Sequence, residues 1–151
     1  PGWPSAKLLE PLRRRVGVRA AVDVGVAEGS RADLLHGRGN RRLVLALVGL
    51  TAQRNQTPNQ LSGGEQQRTA IARALVHDPR LIIADEPTGN LDPLISWEII
   101  QLLLRINELG VTVLMATHDA DVVTALRKRV VALEEGRVIR DEVGGAYHRA
   151  D

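Results

Sequence analysis

From residue 61 onwards, apolar and polar positions recur at spacings that predict helices and strands in alternation. The first predicted element is a helix that begins at Gly63 and stops before Asp78 and Pro79. Ser62 is a good N-cap residue and Glu65 follows it by three positions, which is the spacing of a capping box. Behind this start, apolar side chains fall at helical spacing: Ile71, Ala74 and Leu75.

Two apolar runs downstream predict buried parallel strands. The run Leu81–Ala84 is typical of a strand that is buried on both faces, and it ends in Asp85 and Glu86. The run Val111–Ala116 predicts a second strand, after which His118 follows. Because ligands gather at the carboxyl ends of parallel strands, we expect Asp85, Glu86 and His118 to converge on one edge of the sheet.

A second helix is predicted between these strands, with Asp92 as its cap, Pro93 at its first position and Gly110 at its end. Its apolar face comprises Ile95, Ile99, Leu102, Leu103 and Ile106. The remaining predicted elements are a short helix around residues 122–126 and strands at residues 130–133 and 137–140. Strands alternating with helices imply an α/β fold: a parallel sheet with helices, closed by a C-terminal two-stranded hairpin.

The first part of the chain is harder to interpret. Residues 19–42 keep neither the helical nor the strand period, and four glycines interrupt them. Leu43–Leu50 is compatible with a short buried helix, and the polar residues after it with a loop around Pro58. We therefore divide the chain into a basic, weakly readable segment at residues 1–42 and a regular segment at residues 43–151.

Composition limits the classes of protein to consider. A chain of 151 residues with 44% hydrophobic content is long enough for one domain with a core. It contains no cysteine, which excludes disulfides and thiolate metal sites and fits a reducing, cytoplasmic setting. The longest apolar run is far shorter than the roughly 20 residues that a membrane-spanning helix needs, so any membrane association is expected to be peripheral.

Charge is distributed unevenly along the sequence. Residues 1–60 hold ten Lys or Arg and four Asp or Glu, a net charge of +6, whereas residues 61–151 hold ten and fourteen, a net charge of −4. A basic segment is able to attract nucleic acid or anionic lipid. We favour a solvated segment and expect no nucleic-acid partner, because the aromatic residues that single-strand binding uses are not interleaved.

The predicted helix start and strand end carry groups that suit phosphate chemistry. Ser62, Gly63 and Gly64 would present a hydroxyl and backbone N–H groups to a phosphate without an intervening side chain. Of the two adjacent carboxylates, Asp85 suits magnesium and Glu86 suits the orientation or deprotonation of water. Each feature alone is more often a simple helix cap or solvated loop; their order and spacing are what favour a functional site.

Four motifs, in this order, resemble those of ABC-type ATPases. LSGGEQQR at residues 61–68 resembles the signature motif, and LIIADEP at residues 81–87 resembles the Walker B strand. GNLD at residues 89–92 resembles the D-loop, and ATHD at residues 116–119 resembles the segment with the switch histidine. The resemblance implies a partial P-loop-NTPase-like sheet that binds ATP and Mg²⁺. It makes Glu86 the general base, Asp85 the magnesium carboxylate and His118 the sensor of the γ-phosphate. Nucleotide contacts are expected from Leu61, Ser62, Gly63, Gly64, Glu65 and Asp92.

Residues 59–147 resemble most the cell-division, FtsE-like group of this family, which implies an ATP-binding and ATP-hydrolysing subunit of a membrane complex. The expected partners are an integral-membrane, permease-like subunit (FtsX-like) and a second ABC ATPase domain, in a homodimer or heterodimer at the inner face of the cell membrane. Upstream, Leu12–Val18 resembles the strand before the family's Q-loop, but the aromatic residue and glutamine that follow there are missing.

The sequence also lacks the motif G-x-x-x-x-G-K-[ST] of a phosphate-binding loop. We therefore expect an N-terminally incomplete ATPase domain that turns over little ATP alone, with one buried strand missing between the Leu81–Ala84 and Val111–Ala116 strands. One alternative is a non-enzymatic partner that docks on an intact ATPase subunit. Another is a DNA-associated ABC ATPase head, which is disfavoured because no heptad repeat continues the chain.

Overall fold

The computed structural model describes residues 19–25 and 40–145. These residues belong to two compact units, which are taken one at a time. The helical unit comprises residues 24–115, and the hairpin unit comprises residues 19–23 and 116–145 within the described ranges. The predicted Leu12–Val18 strand lies outside the described residues.

The helical unit follows the order that the sequence predicts. Its elements are helix α1 (Asn40–Leu47), a short 3-10 helix (Pro58–Gln60), helix α2 (Gly63–Leu75), strand β2 (Leu81–Asp85), helix α3 (Pro93–Glu108) and strand β3 (Thr112–Thr117), the last of which crosses into the hairpin unit. The predicted starts of α2 and α3 are confirmed to the residue, because both depend on capping signals within a few positions. A short helix upstream is confirmed, but it spans Asn40–Leu47 instead of Leu43–Leu50, and only one of its faces is covered: Val44 is buried, whereas Leu43 is 48% exposed.

The core of the helical unit is built on one face of α3. Its buried side chains are Ile99, Ile100, Leu102, Leu103 and Ile106. Leu75 of α2 and Val113 of β3 are each 0% exposed and belong to the same unit. Burial of each such side chain stabilises the fold by about 1.5–3 kcal/mol relative to an exposed position. Gly110 ends this stretch at φ +96°, a conformation that favours glycine.

Strands β2 and β3 are direct neighbours in a parallel arrangement. The Thr112 N–H donates to the Arg80 carbonyl at 2.9 Å where the two strands begin. The expectation of a missing strand between them is therefore wrong. A helical crossover such as α3 commonly returns the chain beside the strand it has just left.

The prediction that β2 is buried on both faces is also wrong for this structure. Ile82 is 5% exposed, but Leu81 and Ile83 are 48% and 68% exposed. The described residues therefore cover β2 on one face only. Within those residues, no helix is long and apolar enough to cross a membrane.

The hairpin unit contains strand β1 (Arg19–Gly25, reaching two residues into the helical unit), helix α4 (Ala120–Leu126), strand β4 (Arg129–Glu134) and strand β5 (Arg137–Glu142). The antiparallel order is β1, β4, β5, with Ala21 opposite Val131 and Val131 opposite Asp141. The predicted helix and hairpin are confirmed, and the hairpin turns through Glu135 (φ +49°) and Gly136 (φ +77°), as expected for a type I′ turn. Strand β1 was not predicted from the sequence.

Candidate nucleotide-binding site

The start of α2 is closed by a reciprocal capping box. The backbone N–H and the hydroxyl of Ser62 both donate to one carboxylate oxygen of Glu65, each at 2.8 Å. In return the Glu65 N–H donates to the Ser62 hydroxyl oxygen over a longer 3.3 Å. The Gln66 N–H is satisfied by the Ser62 carbonyl at 2.9 Å. This arrangement confirms the cap that the sequence predicts.

The backbone N–H groups of Gly63 and Gly64 lie in the first turn of α2, where a helix offers no internal acceptor. Within the described parts of the chain, neither N–H donates a hydrogen bond. Both also lie at the positive end of the helix dipole. Leu61 precedes them, half-buried, and its N–H closes the 3-10 helix on the Pro58 carbonyl at 3.2 Å. The start of α2 therefore retains two donors for an anion.

The Glu65 carboxylate is held in its charged form at this helix start. Hydrogen bonds from the Ser62 backbone and hydroxyl lower the pKa of Glu65 most. Burial opposes them to a lesser extent, and Gln53 and Arg68 lower the pKa by smaller amounts still. The Gln53 side-chain amide donates to the second Glu65 oxygen at 3.0 Å. Sequence reasoning missed Gln53, because a glutamine in a polar loop carries no spacing signal.

Both glycines of the motif also have a packing reason. A Cβ added at Gly64 would lie 2.6 Å from Cγ2 of Ile95 on α3, and one added at Gly63 would lie 3.3 Å from Cδ2 of Leu91. Gly64 is buried and Gly63 is exposed. The absence of side chains at Gly63 and Gly64 thus lets α2 approach α3 closely. The sequence-based explanation of these glycines considered only phosphate access and did not include this packing.

The predicted carboxylate pair lies at the end of β2. Asp85 is its last residue and is exposed, and Glu86 follows half-buried at φ +46°. A non-glycine residue in this left-handed region costs on the order of 1–3 kcal/mol, and such strain clusters at functional sites. The Gly89 N–H donates to the Glu86 carbonyl at 3.0 Å and so closes the turn that holds this conformation.

Asp92 serves as the cap of α3. One of its carboxylate oxygens accepts from the Leu94 and Ile95 N–H groups, both at 3.0 Å. The predicted cap is confirmed, whereas a contact of Asp92 with nucleotide stays a prediction.

The carboxylates fit a magnesium ion only in part. No group of three or more His, Cys, Asp or Glu that would surround a metal occurs among the residues that the structure describes. Asp85 would therefore supply one carboxylate to Mg²⁺, with the remaining oxygen ligands coming from water and nucleotide phosphates, as is usual for this ion.

His118 follows β3 in the hairpin unit and is exposed. The neighbouring Thr117 is buried, and its hydroxyl accepts from the Asp119 N–H at 3.0 Å. Asp119 in turn caps α4 by accepting from the Asp121 and Val122 N–H groups. The site residues of the helical unit thus lie around the start of α2, the end of β2 and the turn between β2 and α3. The convergence of His118 with them stays a prediction.

Comparison with known proteins agrees with these motifs. The family model described as ABC transporter matches residues 13–89. The cell-division ATP-binding protein FtsE of Streptococcus pneumoniae is 62% identical over 104 residues, which cover 69% of this chain and 45% of that protein. The chain spans about half the length of the curated relatives that it matches.

Two solved structures show the same fold. CbiO1 of Clostridium perfringens, part of the ABC transporter complex cbiONQ, is 38% identical with a TM-score of 0.66 over 71% of this chain and 43% of that one. The dimeric cassette MJ0796 in a post-hydrolysis state bound to ADP and Pi is 40% identical with a TM-score of 0.60 over 80% and 52%. The chain belongs to the ABC transporter family and is homologous to part of FtsE.

Proposed function

We propose that this chain supplies the signature-helix side of an ATP site in an FtsE-like ABC ATPase. The observation that carries the proposal is the start of α2, where the Gly63 and Gly64 N–H groups remain open beside the Ser62 hydroxyl. The resemblance of MJ0796, a dimer bound to ADP and Pi, supports a site shared between two domains.

The full assembly would place ATP with Mg²⁺ between this surface and the phosphate loop of a second ABC ATPase domain. A permease-like integral-membrane subunit, FtsX-like, would hold the pair at the cytoplasmic face of the membrane. Names of relatives such as FtsE and cbiO1, part of a transporter complex, support this choice of partners.

The residues of α2 have defined tasks in this proposal. The Ser62 hydroxyl, which can rotate, would turn from Glu65 and donate to a phosphate oxygen. The Gly63 and Gly64 N–H groups would donate beside it, and the Ser62 backbone N–H would remain on Glu65 to hold the helix start. The bound nucleotide supplies the phosphoryl group whose charge these donors stabilise.

Asp85, Glu86 and His118 would act where a phosphate loop holds ATP against them. Asp85 would hold the magnesium ion, Glu86 would accept the proton of the attacking water, and His118 would donate to the terminal phosphate. Because the 151 residues contain no phosphate-loop motif, we propose these roles only for an assembly that provides one.

The isolated chain should bind ATP weakly. An exposed helix start contributes about 1 kcal/mol, which by itself corresponds to an affinity of millimolar or weaker. Isothermal titration with Mg-ATP should give no saturation below millimolar concentration. Micromolar affinity of the chain alone would contradict the proposal.

Mixing the chain with intact FtsE of S. pneumoniae tests the shared site. Sedimentation should detect mixed dimers that require Mg-ATP. Ser62→Arg should abolish them, whereas Glu86→Gln should not, because no phosphate loop of this chain holds ATP against Glu86. Ala74→Arg, at an exposed position of the same helix, is the matched control and should behave like the wild type. Mixed dimers that persist in Ser62→Arg would refute the role of α2.

A further inference from the structure

The Gln53 side chain holds the carboxylate that closes the start of α2. Its amide N–H donates to Oε1 of Glu65 at 3.0 Å, whereas Ser62 donates to the other carboxylate oxygen with its backbone N–H and its hydroxyl. The backbone of Gln53 is itself fixed, because its N–H donates to the Leu50 carbonyl at 3.1 Å and its carbonyl accepts from the Gln56 N–H at 2.9 Å. Gln53 therefore links the turns that follow α1 to the start of α2.

One oxygen of the Gln53 side chain has no partner. Its Oε1 is buried and accepts no hydrogen bond from any residue that the structure describes. The amide faces Glu65 with its NH₂ group because a charged carboxylate only accepts hydrogen bonds, and a rotated amide would place oxygen against oxygen. An unpaired buried acceptor costs free energy, so the donation to Glu65 is made at the expense of a satisfied Gln53 oxygen. Such a group requires an explanation beyond the stability of the loop.

The nucleotide contact proposed for Ser62 supplies this explanation. Oε2 of Glu65 accepts from both the N–H and the hydroxyl of Ser62, and the hydroxyl must leave Glu65 before it donates to a phosphate oxygen. With Gln53, two donors still hold the carboxylate after the hydroxyl has turned, whereas without Gln53 only the Ser62 N–H remains.

We propose that Gln53 is a positioning residue of the candidate nucleotide site. Its amide holds Glu65 in place, so that the Ser62 hydroxyl is released to a phosphate without loss of the cap of α2. This inference rests on the function proposed above for Ser62. It adds to that function a residue outside the signature motif, which acts on the phosphate contact through Glu65.

Arg68 does not replace Gln53 in this role. Within the described residues, only Ser62 and Gln53 donate hydrogen bonds to the Glu65 carboxylate, and Arg68 acts on it through charge alone. The Arg68 guanidinium is bonded elsewhere, to the Val48 carbonyl at 3.3 Å and to the Glu98 carboxylate at 2.6 Å. Loss of the Gln53 donor is therefore not compensated within the structure.

Two substitutions at Gln53 separate the donor from the unpaired oxygen. Gln53→Leu removes both groups, whereas Gln53→Lys removes the oxygen and retains a donor for Glu65. Sedimentation in Mg-ATP measures the concentration of intact S. pneumoniae FtsE at which half of the chain is in mixed dimers. We expect this concentration to rise about tenfold for Gln53→Leu, as for one lost hydrogen bond to a charged group, and to stay within about twofold of wild type for Gln53→Lys. Gln56→Leu, at an exposed position of the same loop, is the matched control and should behave like the wild type.

A second background shows whether Gln53 acts through the Ser62 hydroxyl. Ser62→Ala has no hydroxyl to release, so Gln53→Leu should raise the concentration there by no more than about twofold further. A tenfold rise in both backgrounds would overturn the proposal, because Gln53 would then act independently of Ser62. A wild-type value for Gln53→Leu would overturn it as well.

NMR titration of the Glu65 carboxyl in the chain alone tests the contact without nucleotide. After the hydrogen bonds from Ser62, the one from Gln53 also lowers the pKa of Glu65, so this pKa should rise in Gln53→Leu and stay low in Gln53→Lys. An unchanged pKa in Gln53→Leu would contradict the positioning role. Absence of mixed dimers for the wild type would refute the function proposed for α2 and this inference with it, whereas failure of the Gln53 variants alone refutes only the inference.

Discussion

Helices α2 and α3 begin with similar signals but leave different surfaces. At α2, Ser62 caps the helix while Gly63 and Gly64 keep two N–H groups open. At α3, Asp92 caps the helix and Pro93 has no N–H to offer. The Asp92 carboxylate also consumes the next two N–H groups of its helix. The start of α2 can therefore receive an external anion, whereas the start of α3 already binds the carboxylate of Asp92.

The difference teaches that a cap motif does not by itself define an anion site. Whether a helix start binds an external anion depends on how many first-turn N–H groups the cap has already bonded. It also depends on whether the backbone or a side chain is exposed at that start. At α2 the capping anion is Glu65, three residues into the helix, so that its carboxylate binds Ser62 rather than the donors between them. The following variants test this contrast in order of expected effect.

Gly64→Val should destabilise the chain most, by about 1–3 kcal/mol, since a Cβ at this position lies 2.6 Å from Cγ2 of Ile95. Ile95 is β-branched and cannot rotate this methyl group away cheaply. Urea denaturation measures the free energy of unfolding. In the background of Ile95→Ala the cost of Gly64→Val should fall, and equal costs in both backgrounds would exclude the predicted clash.

Asp92→Ala should cost about 1 kcal/mol, because the Leu94 and Ile95 N–H groups lose their acceptor. Asp92→Asn retains the capping oxygen and should stay close to the wild type in the same denaturation experiment. Asp92→Ala should also make stability depend on added phosphate, since the start of α3 then resembles that of α2. A loss of stability in Asp92→Asn as large as in Asp92→Ala would show that charge, not capping, decides.

Glu65→Gln should have a smaller effect that depends on pH. The pKa of Glu65 is lowered in the folded chain, so its stabilisation is present above the carboxyl pKa of the unfolded chain. It is lost as pH falls through the lower pKa of the folded state. The difference in unfolding free energy between wild type and Glu65→Gln should therefore be largest near neutral pH and vanish at pH values below the lowered pKa of the folded state. A difference that is constant from neutral to acid would contradict the linkage.

Gly63→Ala should change stability least, by no more than about 0.5 kcal/mol, because the position is exposed. The added methyl group would lie 3.3 Å from the mobile end of Leu91, a contact that a small shift relieves. The better helix propensity of alanine offsets part of the cost. A loss as large as that of Gly64→Val would show that the two glycines are equivalent in packing, contrary to the structure.

Local signals in the sequence predicted the starts of both helices and the hairpin turn. Ser62 with Glu65, and Asp92 with Pro93, act through hydrogen bonds that span three residues or fewer, so their neighbours in sequence are sufficient to specify them. The same holds for the turn at Glu135 and Gly136. The positions of Asp85 and Glu86 at the end of β2 followed from the apolar run before them.

Other features depend on contacts that are distant in sequence. Strand β1 was missed because its ladder partner, β4, lies more than 100 residues away, and the seven residues 19–25 are too few to show a period by themselves. Gln53 reaches Glu65, and Gly64 faces Ile95, only because loops and helices fold together. No periodicity within one segment contains that information.

The amino-acid sequence by itself determined the family, the order of the regular elements after residue 42 and the residues that carry the candidate chemistry. Tertiary structure alone decided that β2 and β3 are neighbours and that Ile83 is exposed. An apolar run indicates that a strand favours burial, because water is a poor solvent for its side chains. Which segment covers each face depends on packing across the whole domain, and that choice is made only when distant parts of the chain meet.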